Sequence, residues 1–281
     1  MKSDTRNMRV KKDWSKLVQS ALLPVAFIVG IGSFVLVADG AKPKKSSKPA
    51  PDAPPPSVLM IGDSLSVGKF GEVVQAHLAL KRRVAAYASC GSSPEHWLAA
   101  EHDFVTKCGY RQVTSDSNIF SDYVNGRAPR PTRTPKLADL VRKHKPTIVV
   151  VQLGTNWMDR NLSDEQMNDY LGRFVDEARR GGTVEKIVWI APPDSARLRK
   201  TQGRVHQLIR RAASRKGFDV IDSRNVTHYV TGKTGGDGIH YNSESSEAWA
   251  RGIQRDLDSK LAITAREKKL SSFKRDEGVQ N

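Results

Sequence analysis

The chain has 281 residues, 38% of them hydrophobic and 27% charged, and a formal net charge of +16, a length that suits one large domain or two small ones. The charge does not mark a nucleic-acid-binding protein: ten Lys/Arg against three Asp/Glu fall in the first 48 residues, no zinc-finger or RRM-like motif occurs, and basic residues do not interleave with aromatics. Two cysteines without a Cys/His cluster make no zinc site, and no internal repeats are present.

Residues 1–16 form a basic segment with Lys2, Arg6, Arg9, Lys11, Lys12 and Lys16. Leu17 to Ala38 then runs 22 residues without a charge, roughly 33 Å as a helix and long enough for a bilayer core. The run exceeds the ~7–15 apolar residues of a cleaved signal, so residues 17–38 are expected to be a transmembrane signal anchor. The basic side would be cytoplasmic and the rest of the chain outside. Ala38-Asp39-Gly40 offers a small-residue cleavage site, which leaves a secreted form as the alternative. Residues 39–56, rich in Lys, Ser, Ala and Pro and ending in Pro54-Pro55-Pro56, read as a semi-rigid spacer.

From Ser57 the pattern alternates. Val58 to Ile61 is continuously apolar, as a strand covered on both faces should be, whereas Val67, Phe70, Val73, Val74 and Leu78 recur at helical spacing. Further strands are expected at Val84–Ala88, Thr147–Leu153, Lys186–Ala191 and Asp219–Ile221, and helices over 66–80, 135–144, 163–181, 200–216 and 243–262. Five strands separated by amphipathic helices predict an α/β domain over residues 57–262. It is expected to be a flavodoxin-like three-layer α/β/α fold with a five-stranded parallel sheet in the order 2-1-3-4-5. Between Cys108 and Pro135 no period is visible; the stretch is expected to be a loop, either a lid or polar rim offering Arg127, Arg130 and Arg133 to anionic groups, or solvated surface. Residues 263–281 are charged, without a sustained apolar face, and are expected to be disordered. Outside the cytoplasm Cys90 and Cys108 can form a disulfide worth roughly 3 kcal/mol in the chain-entropy account; the alternative is two unpaired buried thiols.

The candidate chemistry sits at strand ends, where open α/β sheets place their ligands. The first strand stops at Gly62-Asp63-Ser64, which puts Ser64 at the carboxyl edge. The third strand ends in Gly154-Thr155-Asn156, so the Asn156 amide falls at the same edge and can donate to a developing oxyanion. After the last strand, Asp237-Gly238-Ile239-His240 can set a carboxylate against one ring nitrogen and leave the other free to act as a general base. Gly91, after the second strand, can bring a backbone N–H close to the same oxyanion. Asp63 is expected to shape the turn rather than react. His96, His102 and Asp159 have no fitting partner and are expected at the surface or rim, and Trp157 in the pocket wall or the core.

Taken together, Gly62-Asp63-Ser64-Leu65-Ser66, Gly91, Gly154-Thr155-Asn156 and Asp237-Gly238-Ile239-His240 resemble the four blocks of the SGNH/GDSL hydrolase family, in order, from Val58 to about Leu261. Gly109 is the distant alternative to Gly91. The resemblance implies Ser64 as nucleophile, His240 as base then acid, Asp237 as its orienter, and an oxyanion hole from the Ser64 N–H, the Gly91 N–H and the Asn156 amide, with no metal or organic cofactor. With the anchor, it implies a serine esterase in a bacterial envelope that removes ester-linked acyl groups, chiefly O-acetyl, from carbohydrate. The expected partners are an acylated carbohydrate or other small ester and the inner membrane through residues 17–38, but no nucleic acid. Two alternatives follow. One is an O-acetyltransferase supplied by an acetyl-donor membrane protein; the other is a lipid esterase or lysophospholipase, which the polar 109–134 stretch disfavours.

Overall fold

The structure, a computed structural model, describes residues 57–123 and 126–262. The strands are β1 (Ser57–Gly62), β2 (Arg83–Ser89), β3 (Val105–Thr106), β4 (Tyr110–Val113), β5 (Asn118–Ser121), β6 (Thr132–Arg133), β7 (Ile148–Gln152), β8 (Lys186–Ala191) and β9 (Asp219–Asp222). The helices are α1 (Ser64–Val67), α2 (Lys69–Ala79), α3 (Leu137–His144), α4 (Asp164–Arg179), α5 (Arg199–Lys216) and α6 (Ser243–Leu261).

The apolar run of β1 lies at the centre of the sheet and is buried on both faces. Leu59 and Ile61 enter the cluster packed by α3, α4 and α5, while Val58 and Met60 enter the cluster packed by α2 and α6. This alternation is the period-2 geometry of a strand, and each fully buried side chain of this size contributes about 1.5–3 kcal/mol. Five strands run parallel in the order β2-β1-β7-β8-β9, which is the predicted 2-1-3-4-5. Helix ends follow local chemistry. Ser163 and Gln166 form a reciprocal capping box at the start of α4, and the Asn242 side chain accepts from Ser245 N at 2.9 Å to open α6.

The sheet has seven strands rather than the five predicted. The stretch expected to be a loop contains β4 and β5, which add antiparallel beside β2, and β6, which pairs with β3 in a separate two-stranded ribbon. Of its arginines, Arg133 pairs with Asp103 at 3.1 Å. The helix expected over 66–80 is also divided, because α1 starts two residues earlier at Ser64 and the chain breaks at Gly68 before α2.

Cys90 and Cys108 are joined in a disulfide with a Cα–Cα distance of 5.6 Å. It ties the chain leaving β2 to the turn entering β4. The basic segment 1–16, the anchor expected over 17–38, the spacer 39–56 and the tail 263–281 lie outside the described residues. Among the described residues no helix is long and apolar enough to cross a membrane.

Candidate active site

The β1–α1 turn is built by steric fit and a cap. A Cβ on Gly62 would lie 2.2 Å from Ser66 Cβ, so only glycine lets the first turn of α1 fold back over the strand end. Asp63 caps α1, its Oδ1 accepting from Leu65 N at 3.0 Å, and Ser66 Oγ donates to Gln152 Oε1 at 2.7 Å. These bonds lock the turn to the end of β7 and leave Ser64 as the first residue of α1.

The loop between β9 and α6 reaches across to it. His240 Nε2 lies 3.0 Å from Ser64 Oγ, and His240 Nδ1 lies 2.6 Å from Asp237 Oδ2. The other carboxylate oxygen, Oδ1, accepts from Ile239 N at 2.9 Å and His240 N at 2.7 Å. Partial burial pushes the Asp237 carboxyl up, but the His240 ring and the two backbone N–H groups outweigh it and hold the pKa at about 2. Asp237 is therefore ionised at neutral pH and can only accept, which puts the ring proton on Nδ1 and turns the Nε2 lone pair toward Ser64.

Asn156 follows β7 in the short 3-10 turn Thr155–Trp157 and donates through Nδ2 to Ser92 O at 2.8 Å. One amide hydrogen is thereby fixed on the loop that also carries Gly91, and the second is left to donate elsewhere. Neither the Ser64 N–H nor the Gly91 N–H makes a hydrogen bond among the described residues, and Gly91 adopts φ +78°. Gly109 instead uses its carbonyl to accept from Cys90 N at 2.9 Å.

A cleft of about 500 Å³ opens beside Ser64 and His240. The Cys90–Cys108 bridge forms part of its wall, with Lys69, Asp122, Tyr123 and the start of α6 around it. From the stretch between Cys108 and Pro135, Asp122 and Tyr123 reach the cleft; Arg127, Arg130 and Arg133 do not line it.

The remaining candidates lie elsewhere. Trp157 is in the core, where its indole N–H donates to buried Glu95 at 2.8 Å. Glu95 also pairs with Arg160, a buried anchor that no sequence pattern announced. His96 stacks on Phe104 and accepts from Ser93 N; burial pushes its pKa down to about 4, helped by Arg160 and Lys136. Asp159 pairs with Arg197 at 3.1 Å, and His102 is exposed. Among the described residues no cluster of His, Cys, Asp and Glu is placed to hold a metal ion.

Asp63, fully buried beneath Ser64, has its pKa pushed up to about 6, because burial outweighs the Leu65 N–H and the nearby Thr155 and Gln152 side chains. A carboxyl raised from 3.8 binds more protons folded than unfolded. Its contribution is therefore most favourable below 3.8 and is lost as the pH rises through about 6. Asp63→Asn keeps the capping oxygen and removes the buried charge. It should raise unfolding free energy at pH 7 by about 1–3 kcal/mol, with the gain vanishing near pH 4; urea unfolding at both pH values measures it.

The sequence profile of the GDSL-like lipase/acylhydrolase family matches residues 60–248, which include Ser64, Asn156, Asp237 and His240. Among solved structures the chain is similar to TesA, with a TM-score of 0.51 and 18% identity over 73% of this chain and 99% of that one. It is also similar to a native aryl esterase of M. smegmatis, with a TM-score of 0.50 and 16% identity over 73% of this chain and 100% of that one. At these identities the likeness shows a shared fold. No curated protein sequence matches the chain.

Proposed function

The chain belongs to the GDSL-like lipase/acylhydrolase family and is a carboxylic ester hydrolase, and from that premise we propose that Ser64 is its nucleophile, His240 the base and then the acid, and Asp237 the orienter. The observation that carries this reading is the continuous hydrogen-bonded chain from Ser64 Oγ through His240 to the ionised Asp237. Ser64 Oγ attacks the ester carbonyl as His240 Nε2 takes its proton. The resulting imidazolium is stabilised by Asp237 and returns the proton to the departing alcohol oxygen. Water then repeats the sequence on the acyl-serine, releasing the acid and restoring the Ser64 hydroxyl. The oxyanion is received by the unoccupied N–H groups of Ser64 and Gly91 and the second hydrogen of the Asn156 amide.

The substrate we propose is an ester-linked acyl group, chiefly acetyl, on an envelope carbohydrate. Lys69, Asp122, Tyr123, Asn242, Ser243 and Ser246 give the cleft donors and acceptors of both kinds, which suits the hydroxyl-rich alcohol half of a sugar ester. A long-chain lipid ester calls for an apolar wall instead. The proposed place of work is outside the cytoplasmic membrane, held by the span expected over residues 17–38. The Cys90–Cys108 disulfide supports it, since such bonds persist in oxidising compartments.

The purified protein is incubated with an O-acetylated glycan and an unacetylated acceptor, and acetate release and transfer are followed by mass spectrometry. Free acetate without acceptor acetylation is the expected result. Transfer as the main product would make the protein an acetyltransferase, and hydrolysis confined to long-chain lipid esters would sink the carbohydrate assignment.

A further inference from the structure

The turn Asp237–His240 carries both partners of Ser64, yet the side chain of Asp237 and the ring of His240 are each about half exposed. Their position is fixed from behind. Tyr229, buried at 2% exposure, places its hydroxyl under this turn, accepting from Gly238 N at 3.1 Å and donating to His240 O at 3.0 Å. Ser195, also buried, donates to Gly238 O at 2.7 Å. The fit is close: a Cβ on Gly235 would lie 1.9 Å from His240 O and 2.4 Å from the Tyr229 hydroxyl, so glycine is required where the chain passes this contact.

Tyr229 is itself held at both ends. Its backbone N–H donates to buried Asp194 Oδ2 at 2.8 Å, and Asp194 O accepts from the Tyr241 hydroxyl at 2.7 Å. The Tyr229 ring meets Tyr241 edge to face with centroids 5.2 Å apart. Tyr241 packs on Trp249 of α6, and Trp249 stacks on Phe70 of α2 at 3.5 Å. This run of rings connects the loop that bears His240 to the helix that follows the Ser64 turn.

We propose that Tyr229, acting with Ser195, is a positioning residue for catalysis: its hydroxyl clamps the backbone of the Asp237–His240 turn at Gly238 and His240 and so sets the reach of His240 Nε2 to Ser64 Oγ. The proposal rests on the reading of Ser64 as nucleophile. Removing the hydroxyl leaves the buried Gly238 N–H and the part-buried His240 carbonyl without partners on one side of a turn whose other side is open to solvent. The turn then relaxes outward, and a displacement of about 1 Å at the base costs up to ~10²-fold in rate without altering where the ester binds.

The test is Tyr229→Phe in the full-length chain, which keeps the ring and its packing. Active sites are counted by complete labelling with an organofluorophosphonate, so that misfolded molecules are excluded from the rate. The expected result is a kcat per labelled site roughly 10–100-fold lower, with the KM for a small acetyl ester within about twofold and the labelling rate constant reduced in parallel. A kcat per labelled site within about twofold of the parent overturns the proposal, as does a loss of activity explained wholly by fewer labelled sites. If Tyr229→Phe yields no folded protein, Ser195→Ala tests the same turn at Gly238 O, where the Arg197 N–H stays as a second donor at 3.1 Å; a several-fold fall in kcat per labelled site at unchanged KM is expected, and an unchanged kcat overturns the clamp. Ser64→Ala run alongside keeps the two readings apart. Activity persisting in that variant removes the nucleophile assignment, whereas its loss with Tyr229→Phe unaffected removes only the clamp.

Discussion

Ser64→Ala lowers kcat for a small acetyl ester by about 10⁴-fold or more, while leaving the unfolding transition almost unmoved. In the proposed mechanism the substitution removes the atom that forms the acyl bond, and nothing nearby can replace it: Asp63 is buried beneath the turn, and His240 points its free nitrogen at the vacated position. Residual rate would come from the oxyanion donors acting on water. The stability effect is small, within about 0.5 kcal/mol, because Ser64 is half-buried and its hydroxyl makes a single bond, to His240. Initial rates and a thermal melt on the same preparation check both halves. Parent-level activity in the mutant would remove Ser64 from the mechanism.

Asp237→Asn should also be strongly damaging, lowering kcat by about 10³-fold. Oδ1 accepts from two backbone N–H groups, and an asparagine oxygen can keep both, so the turn is retained. The new NH₂ group then occupies the place of Oδ2 and faces His240 Nδ1 as a donor. Nδ1 must accept, the proton moves to Nε2, and the ring presents a donor to Ser64 where a base is needed. The expected loss is below that of Ser64→Ala because the side chain is about half exposed, and water can still bind and partly stabilise an imidazolium. Since Asp237 is held at about 2 in the parent, its own titration should be absent from the rate profile above about pH 3. A pH–rate series on parent and mutant reads both effects, and a mutant with parent-level kcat at neutral pH would dissociate Asp237 from catalysis.

What the sequence disclosed depended on how much of each element is buried. β1, β7 and β8 are apolar along almost their whole length because helices cover both faces, and their order follows from the crossover rule. β5 carries no strand pattern because Asn118, Ile119 and Phe120 are all exposed at the sheet edge, where neither face demands alternation. The break at Gly68 was hidden because Val67 and Phe70, on either side of it, are both buried as one continuous helix would bury them.

The candidate site divides the same way. Ser64 is legible because it ends an apolar strand and opens a helix, and Asp237 and His240 because their three-residue spacing in a Gly-rich loop sets a carboxylate beside a ring. Tyr229 and Ser195 were not, since each acts through a hydroxyl on the backbone of a turn distant in sequence, and no period encodes that. Cys90 and Cys108 could be paired or free on sequence alone; only the approach of the β2 end to the β4 turn decides it.

The bond between Ser64 and His240 joins residues 176 apart in the chain, and β1 meets β7 through residue pairs such as Val58 and Ile148. Contacts of such separation form after local ones, because the intervening loop must first be closed. During refolding, helical signal should therefore return well before esterase turnover, and the appearance of activity would time the docking of the C-terminal loop that bears His240 onto the Ser64 turn near the other end of the domain.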